Sequence, residues 1–366
     1  MTAAGRRAVA IATATGLLVA AVAVVATAPA VGASGATAEA AAVKPYPGFE
    51  KGYRQSFPVP KKVAGKTYTI GCQNPVGPGN ETTATFCKGV QAEASALGMK
   101  YIGLDDGLSI DKQVSNFNQL LARGANAIAL YPLAPNALRA SLAKAKRQGV
   151  AVVGFNVTFT KSAKAPGYDA QIWEGRDAEA YLSVAALASA APRGKVVIVG
   201  IGAPVPAIKY LAQRYRFWAK KFGLQVIGEQ DNPTDDIPGG RQAMSGLLGK
   251  YSDIDGVLAY NDESAVGSYT AARSAGRNDI KIVGINGSSL GLSALDAGHV
   301  AAIVQVDAVN QGAQAAAGAY DILTKQGGRL PKVVVMRPKL LTKDNLDSAT
   351  SWADQLARIK GGSLTR

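Results

Sequence analysis

Histidine is almost missing from this chain: His299 stands alone in 366 residues, beside two cysteines, three tryptophans and four methionines. So few soft donors leave no cluster at metal-ligand spacing, and neither a metal nor another cofactor is expected. The same scarcity bears on catalysis. Gly287-Ser288-Ser289-Leu290-Gly291 has the G-x-S-x-G spacing of a hydrolase elbow, yet the one histidine follows Ser289 by ten residues, inside a strand-like run. An elbow serine needs an acid and then a histidine brought back from afar, so capping a helix is the role expected of these serines, and no enzyme is expected. Gly65-Lys66-Thr67 resembles the end of a phosphate loop, but Pro60 holds the place of its first glycine and a strand follows. Dense basic blocks are missing too. The net charge of +14 is spread along helical segments without interleaved aromatics, which points to a solvated basic surface and excludes nucleic acid as the expected partner.

What is present starts with a compartment signal. Arg6 and Arg7 precede an Ala/Val/Leu stretch to about Ala28, with small residues at Val31, Ala33 and Ala36, the layout of a secretory signal peptide over residues 1–33. The stretch is also long enough for an uncleaved membrane anchor. No cysteine follows it until Cys72, so the lipid-attachment site of a lipoprotein is missing. Export with cleavage near Ala33 removes two arginines and leaves 38 minus 26, or +12. Residues 34–65 carry scattered prolines and lysines and read as an extended arm or tether. In an exported protein the even pair Cys72 and Cys87 reads as a disulfide, the alternative being two small buried apolar residues.

From Lys66 onward, strand and helix patterns alternate. Phe86, Val90, Ala94 and Leu97 share one helical face that stops at Gly98; Val114, Phe117 and Leu121 share another that stops at Gly124. The alternation predicts an α/β doubly wound architecture, sustained too long for one compact sheet, so two similar domains are expected. Five apolar runs end on a polar residue: TIGCQN at Asn74, IALYP at Tyr131, VVGFN at Asn156, GVLAYN at Asn261 and IVGIN at Asn286. Ligands of parallel sheets bind beyond the carboxyl ends of the strands, and neutral amides suit a polar, uncharged, hydroxyl-bearing molecule. Tyr131, Phe155, Trp173 and Tyr260 stand at or beside strand ends, where a ring could meet the C–H face of a sugar or simply pack.

AYNDESAVGSYTAARSAG from Ala259, IKIVGINGSS from Ile280 and LDAGHVAAIVQ from Leu295 resemble, in the same order, signature stretches of type I periplasmic sugar-binding proteins of the ribose-binding kind. The resemblance runs from Lys66 to about Asp347. It implies two lobes joined by three crossings, near Trp173, Gln305 and Val334, with residues 66–173 and 306–334 in one lobe and 174–305 and 335–366 in the other. It also implies a ligand in the cleft between them, held by Asn80, Asn156, Asn261, Asn286 and Gln305. Asparagines stand at 156 and 286 where many members carry aspartate, Val157 replaces a common arginine, and Thr82 and Thr83 occupy the place of an aromatic pair. The implied function is that of an extracytoplasmic monomer delivering a sugar or sugar-like molecule to an ABC permease. The alternative is a binding protein that signals to a membrane receptor kinase.

Overall fold

The computed structural model describes residues 43–50, 54–159, 164–326, 328 and 330–360, so the predicted signal segment and the first part of the arm lie outside the described residues. The chain runs β1 (Thr69–Asn74), α1 (Glu81–Ala96), β2 (Lys100–Asp105), α2 (Ile110–Ala122), β3 (Ala127–Leu130), α3 (Arg139–Arg147), β4 (Ala151–Phe155) and β5 (Ala170–Trp173). It continues with α4 (Arg176–Ala190), β6 (Lys195–Ile201), α5 (Pro206–Lys221), β7 (Gln225–Asn232), α6 (Ile237–Lys250), β8 (Gly256–Ala259), α7 (Asp262–Ser274), β9 (Lys281–Asn286), α8 (Ser289–Asp296) and β10 (Ala302–Gln305). Then come α9 (Ala308–Thr324), β11 (Val333–Val335), β12 (Lys339–Leu341) and α10 (Trp352–Lys360).

Two six-stranded sheets repeat one strand order, β2-β1-β3-β4-β5-β11 and β7-β6-β8-β9-β10-β12. Pairing is parallel throughout except for β12, which runs antiparallel to β10. Helices cover parallel sheets on both faces, which is why central strands such as Val196 to Ile201 are continuous buried apolar runs. The chain passes between the two sheets three times, after Trp173, Gln305 and Val335. The helix that follows each of the first two crossings packs on the lobe it enters: α4 on β8, β9 and β10, and α9 on β3, β4 and β5.

The contact between α1 and α9 is made by glycine. A Cβ on Gly89 would lie 2.2 Å from the Val309 carbonyl oxygen, and one on Gly312 would lie 2.0 Å from that of Phe86, so the two backbones meet there directly. On the other side of α1, Cys87 is joined to Cys72 of β1 by a disulfide with its Cα atoms 5.9 Å apart, fixing helix to strand.

The described part of the arm is packed rather than loose. Arg54 bridges in parallel to Val334, Phe57 is buried with its N–H donating to Gln314 at 2.7 Å, and the Val63 N–H donates to the Tyr320 hydroxyl at 2.8 Å. Further back, the Tyr46 hydroxyl donates to Asp177 at 2.5 Å on the second lobe, and its ring lies against Tyr181 and Trp218. The buried Phe57 and the half-buried Tyr46 supply the apolar area that a sparse, proline-broken sequence conceals.

Candidate functional site

The carboxyl ends of the two sheets face each other across a cavity whose walls differ in chemistry. From the first lobe come Pro75, Val76, Leu133 and the ring pair Phe86 and Phe155, with centroids 3.8 Å apart and planes at 76°. The second lobe contributes Glu174, Arg176, Asp235, Tyr260, Asn261 and Asn286 together with the apolar Ile201, Val205 and Ile208. Asn80, Tyr131 and Gln311 are the polar groups that the first lobe adds beside its threonines.

Three of these polar groups converge on Asp235. Asn261 caps α7, its Oδ1 accepting the Ser264 N–H at 2.8 Å while its Nδ2 donates to Asp235 Oδ1 at 2.8 Å. Asn80 does the same from the opposite lobe: it caps α1 through the Thr83 N–H and donates its Nδ2 to Asp235 Oδ2 at 3.0 Å. The Tyr260 hydroxyl also donates to Asp235 Oδ1. Burial pushes the Asp235 carboxyl up to about 6, against the pull of these donors. A capping asparagine thus spends its oxygen on the helix and keeps its amide N–H groups for the cavity.

A second polar group sits at the crossing after Trp173. Asn156, in the left-handed region with φ 46°, donates Nδ2 to Glu174 Oε2 at 2.5 Å and accepts the Glu174 N–H at 2.9 Å. Glu174 pairs with Arg176, which donates Nη1 to Glu179 at 2.7 Å and Nη2 to the Tyr131 hydroxyl at 3.2 Å. The arginine is held well above its ordinary value by Glu174 and Glu179 despite its burial, and burial raises Glu179 to about 7 against the pull of Arg176.

Of the residues singled out in the sequence, Asn80, Tyr131, Phe155, Tyr260, Asn261 and Asn286 line the cavity together, with Thr82 and Thr83. The others have different partners. Asn74 turns its Oδ1 back to the N–H groups of Val76 and Gly77, at 3.2 and 3.1 Å, and shapes the loop after β1. Gln305 exchanges hydrogen bonds with the backbone of Thr350, at 2.8 and 3.1 Å, at the second crossing. Asn156 faces Glu174, and Trp173 is buried at the end of β5. The sequence reading did not include Asp235 or Arg176, and it placed Phe86 only on the apolar face of a helix. Asp235 had one local signal, a polar NPTDD run directly after a strand.

Ser288 caps α8 through the Gly291 N–H and donates its hydroxyl to Asp262 at 2.6 Å; burial raises the Asp262 carboxyl to about 7. The Ser289 hydroxyl donates to Glu81 of the other lobe at 2.5 Å, and the His299 ring stacks on Tyr269. Among the described residues no group of three or more His, Cys, Asp or Glu side chains could hold a metal ion.

Residues 75–327 match the periplasmic binding protein domain. The chain belongs to the periplasmic binding protein family. This binding protein is 28% identical over 257 residues to the ribose import binding protein of Bacillus subtilis, covering 70% of this chain and 81% of the relative. It is 25% identical over 280 residues to the xylitol-binding protein of Mycolicibacterium smegmatis, covering 72% and 74%. Among solved structures, the Caulobacter myo-inositol binding protein bound to myo-inositol superposes with a TM-score of 0.69 at 21% identity, over 78% of this chain and 97% of that one. A solute-binding protein from Actinobacillus succinogenes with bound D-allose gives 0.70 at 20% identity, over 77% and 100%. In this binding protein the lobes are drawn together by Asn80 on Asp235, by Ser289 on Glu81, and by the Phe159 ring stacked on Tyr210 at 4.9 Å.

Proposed function

We propose that this protein captures a neutral sugar or polyol between its two lobes outside the cytoplasm and hands it to an ABC-type permease. The observation that carries the reading is the cavity's two-sided chemistry. An aromatic pair, Phe86 and Phe155, lies across from Asp235, Tyr260, Asn261 and Asn286. A pyranose or cyclitol has the matching shape, with C–H faces for the rings and hydroxyls at the edge for amides and carboxylate. Arg176, the cavity's one cation among the described lining residues, is already paired with Glu174 and Glu179, so no free positive charge asks for an anionic ligand. Delivery to an importer follows from the family, whose ribose-binding relatives serve import. The N-terminal signal pattern supports export.

A thermal-shift screen with D-ribose, D-allose, L-arabinose, xylitol and myo-inositol tests this. A ligand at 100 times its dissociation constant adds about 2.7 kcal/mol to stability, a clear rise in melting temperature. A melting curve unmoved by every neutral member would contradict the reading.

A further inference from the structure

Resting on the reading of the cleft as a site for a neutral ligand, we propose that Asp235 is its specificity-determining residue: the carboxylate takes hydroxyl or ammonium donors from the ligand and turns away molecules that carry a carboxylate or phosphate. The loop between β7 and α6 is built to aim this side chain. Asn232 Oδ1 accepts the N–H groups of Thr234 and Asp235, at 3.1 and 3.0 Å, while its Nδ2 donates to the Asp236 carbonyl and to Ser264 Oγ, both at 2.9 Å. Asp236 closes the turn by capping α6 through the Gly239 N–H at 2.8 Å. Asp235 itself is held at φ 58°, a left-handed conformation that costs a non-glycine residue energy and that the surrounding bonds enforce.

The bonds to Asp235 divide by lobe. Tyr260 and Asn261 belong to the same lobe and stay with it, but the Asn80 donor comes from α1 across the cleft. A ligand enters only when the lobes part, and parting them strips Oδ2 of its partner. Water satisfies that oxygen while the lobes are apart and is expelled when they close on a ligand; a carboxylate oxygen reburied without a donor is costly, so a ligand hydroxyl or ammonium is held where the Asn80 amide was. An anion finds no such welcome. The charged groups that act on Asp235 and its surroundings are acidic: Asp236 on its own loop, Glu263 on α7 behind Tyr260, and Glu81 beside Asn80 on α1. Arg176 is bracketed by Glu174 and Glu179.

The test is calorimetry on wild type, Asp235→Asn and Asn80→Ser. The probes are the neutral panel above together with D-ribonate and myo-inositol 1-phosphate. Wild type should bind its best neutral probe at least 100-fold more tightly than either anion and should lose affinity as pH falls through about 6, where Asp235 takes a proton. Asp235→Asn should weaken neutral binding at least 10-fold, narrow the discrimination against the anions, and flatten that acid limb. Asn80→Ser, which keeps a good helix cap, should change the affinity by less than Asp235→Asn does. Equal binding of neutral and anionic probes by wild type overturns the proposal without any variant. So does an Asp235→Asn protein with unchanged affinity, selectivity and pH profile. A wild type that binds no neutral probe overturns the underlying sugar reading as well, which separates the two failures.

Discussion

The two lobes share a strand order but are stabilised by different means. In the first lobe a disulfide ties β1 to α1, α1 and α9 meet backbone to backbone at Gly89 and Gly312, and Phe57 of the arm seals the outer face of α9 beside Gly318. The second lobe has no disulfide, and its cleft edge instead buries carboxyl groups: Glu179 on α4, Asp235 before α6, and Asp262 and Glu263 on α7. Burial raises all four. The first lobe buries carboxyl groups too, Asp106 after β2 and Glu93 on α1, but its cavity wall carries no charged side chain among the described lining residues. The charged lining residues, Glu174, Arg176 and Asp235, all stand on the second lobe.

The strongest way to break this contrast is Arg176→Ala. It strips Glu174 and Glu179 of the cation between them, and leaving a buried pair unmatched costs about 3–5 kcal/mol. Chemical denaturation should register a loss of that size; a change under about 1 kcal/mol would show that the cluster is not what holds this crossing. Next comes the disulfide. The bridged residues are 15 apart in sequence, so replacing both cysteines by serine should cost about 3 kcal/mol by the chain-entropy argument. Hydrogen exchange should quicken in β1 and α1 while α6 and α7 stay protected; equal loosening of both lobes would erase the distinction.

A gentler lever is pH, and it should act more on the second lobe than on the first, where burial raises Asp106 and Asp307. The buried acids sit at about 6 for Asp235, 7 for Glu179 and Asp262, and 8 for Glu263, above the ordinary carboxylate range. Their folded forms keep protons that the unfolded chain has released. The stability they contribute is therefore complete below about pH 4 and is lost as pH rises through 6 to 8. Melting temperature should be higher near pH 5 than near pH 8, with exchange at high pH quickening first around α6 and α7. A melting temperature that rises steadily from pH 5 to pH 8 would contradict this account.

How much of this could be read in the sequence follows from how local each signal is. The doubly wound pattern was legible because strands such as Val196 to Ile201 and capped helices such as α7 are specified by their own residues. β2 was not, because as an edge strand it is only half covered and lacks a continuous apolar run. α9 was hidden for the opposite reason: it is buried almost all round, so its Ala/Gly-rich sequence has no polar face to mark a helical period. In the cleft, strand-end position gave the place of a side chain but not its direction. Asn261 and Asn286 face the cavity, whereas Asn74 folds back on its own loop and Gln305 on Thr350. Asp235 was out of reach because its partners come from three separate segments, at Asn80, at Tyr260 with Asn261, and at Asn232.

The central claim is that the ligand lies between these unlike walls, and one calorimetric comparison tests it most directly: wild type against Asn261→Ser with the neutral probe that binds best. Serine caps a helix as well as asparagine, so α7 keeps its start while the cavity loses the amide N–H groups. A buried hydroxyl left without a partner costs about 1–3 kcal/mol, so affinity should fall by about 10- to 100-fold, while the free protein loses only the one bond to Asp235 Oδ1, which keeps the Tyr260 hydroxyl. Equal affinity in the two proteins would place the ligand somewhere other than this cleft.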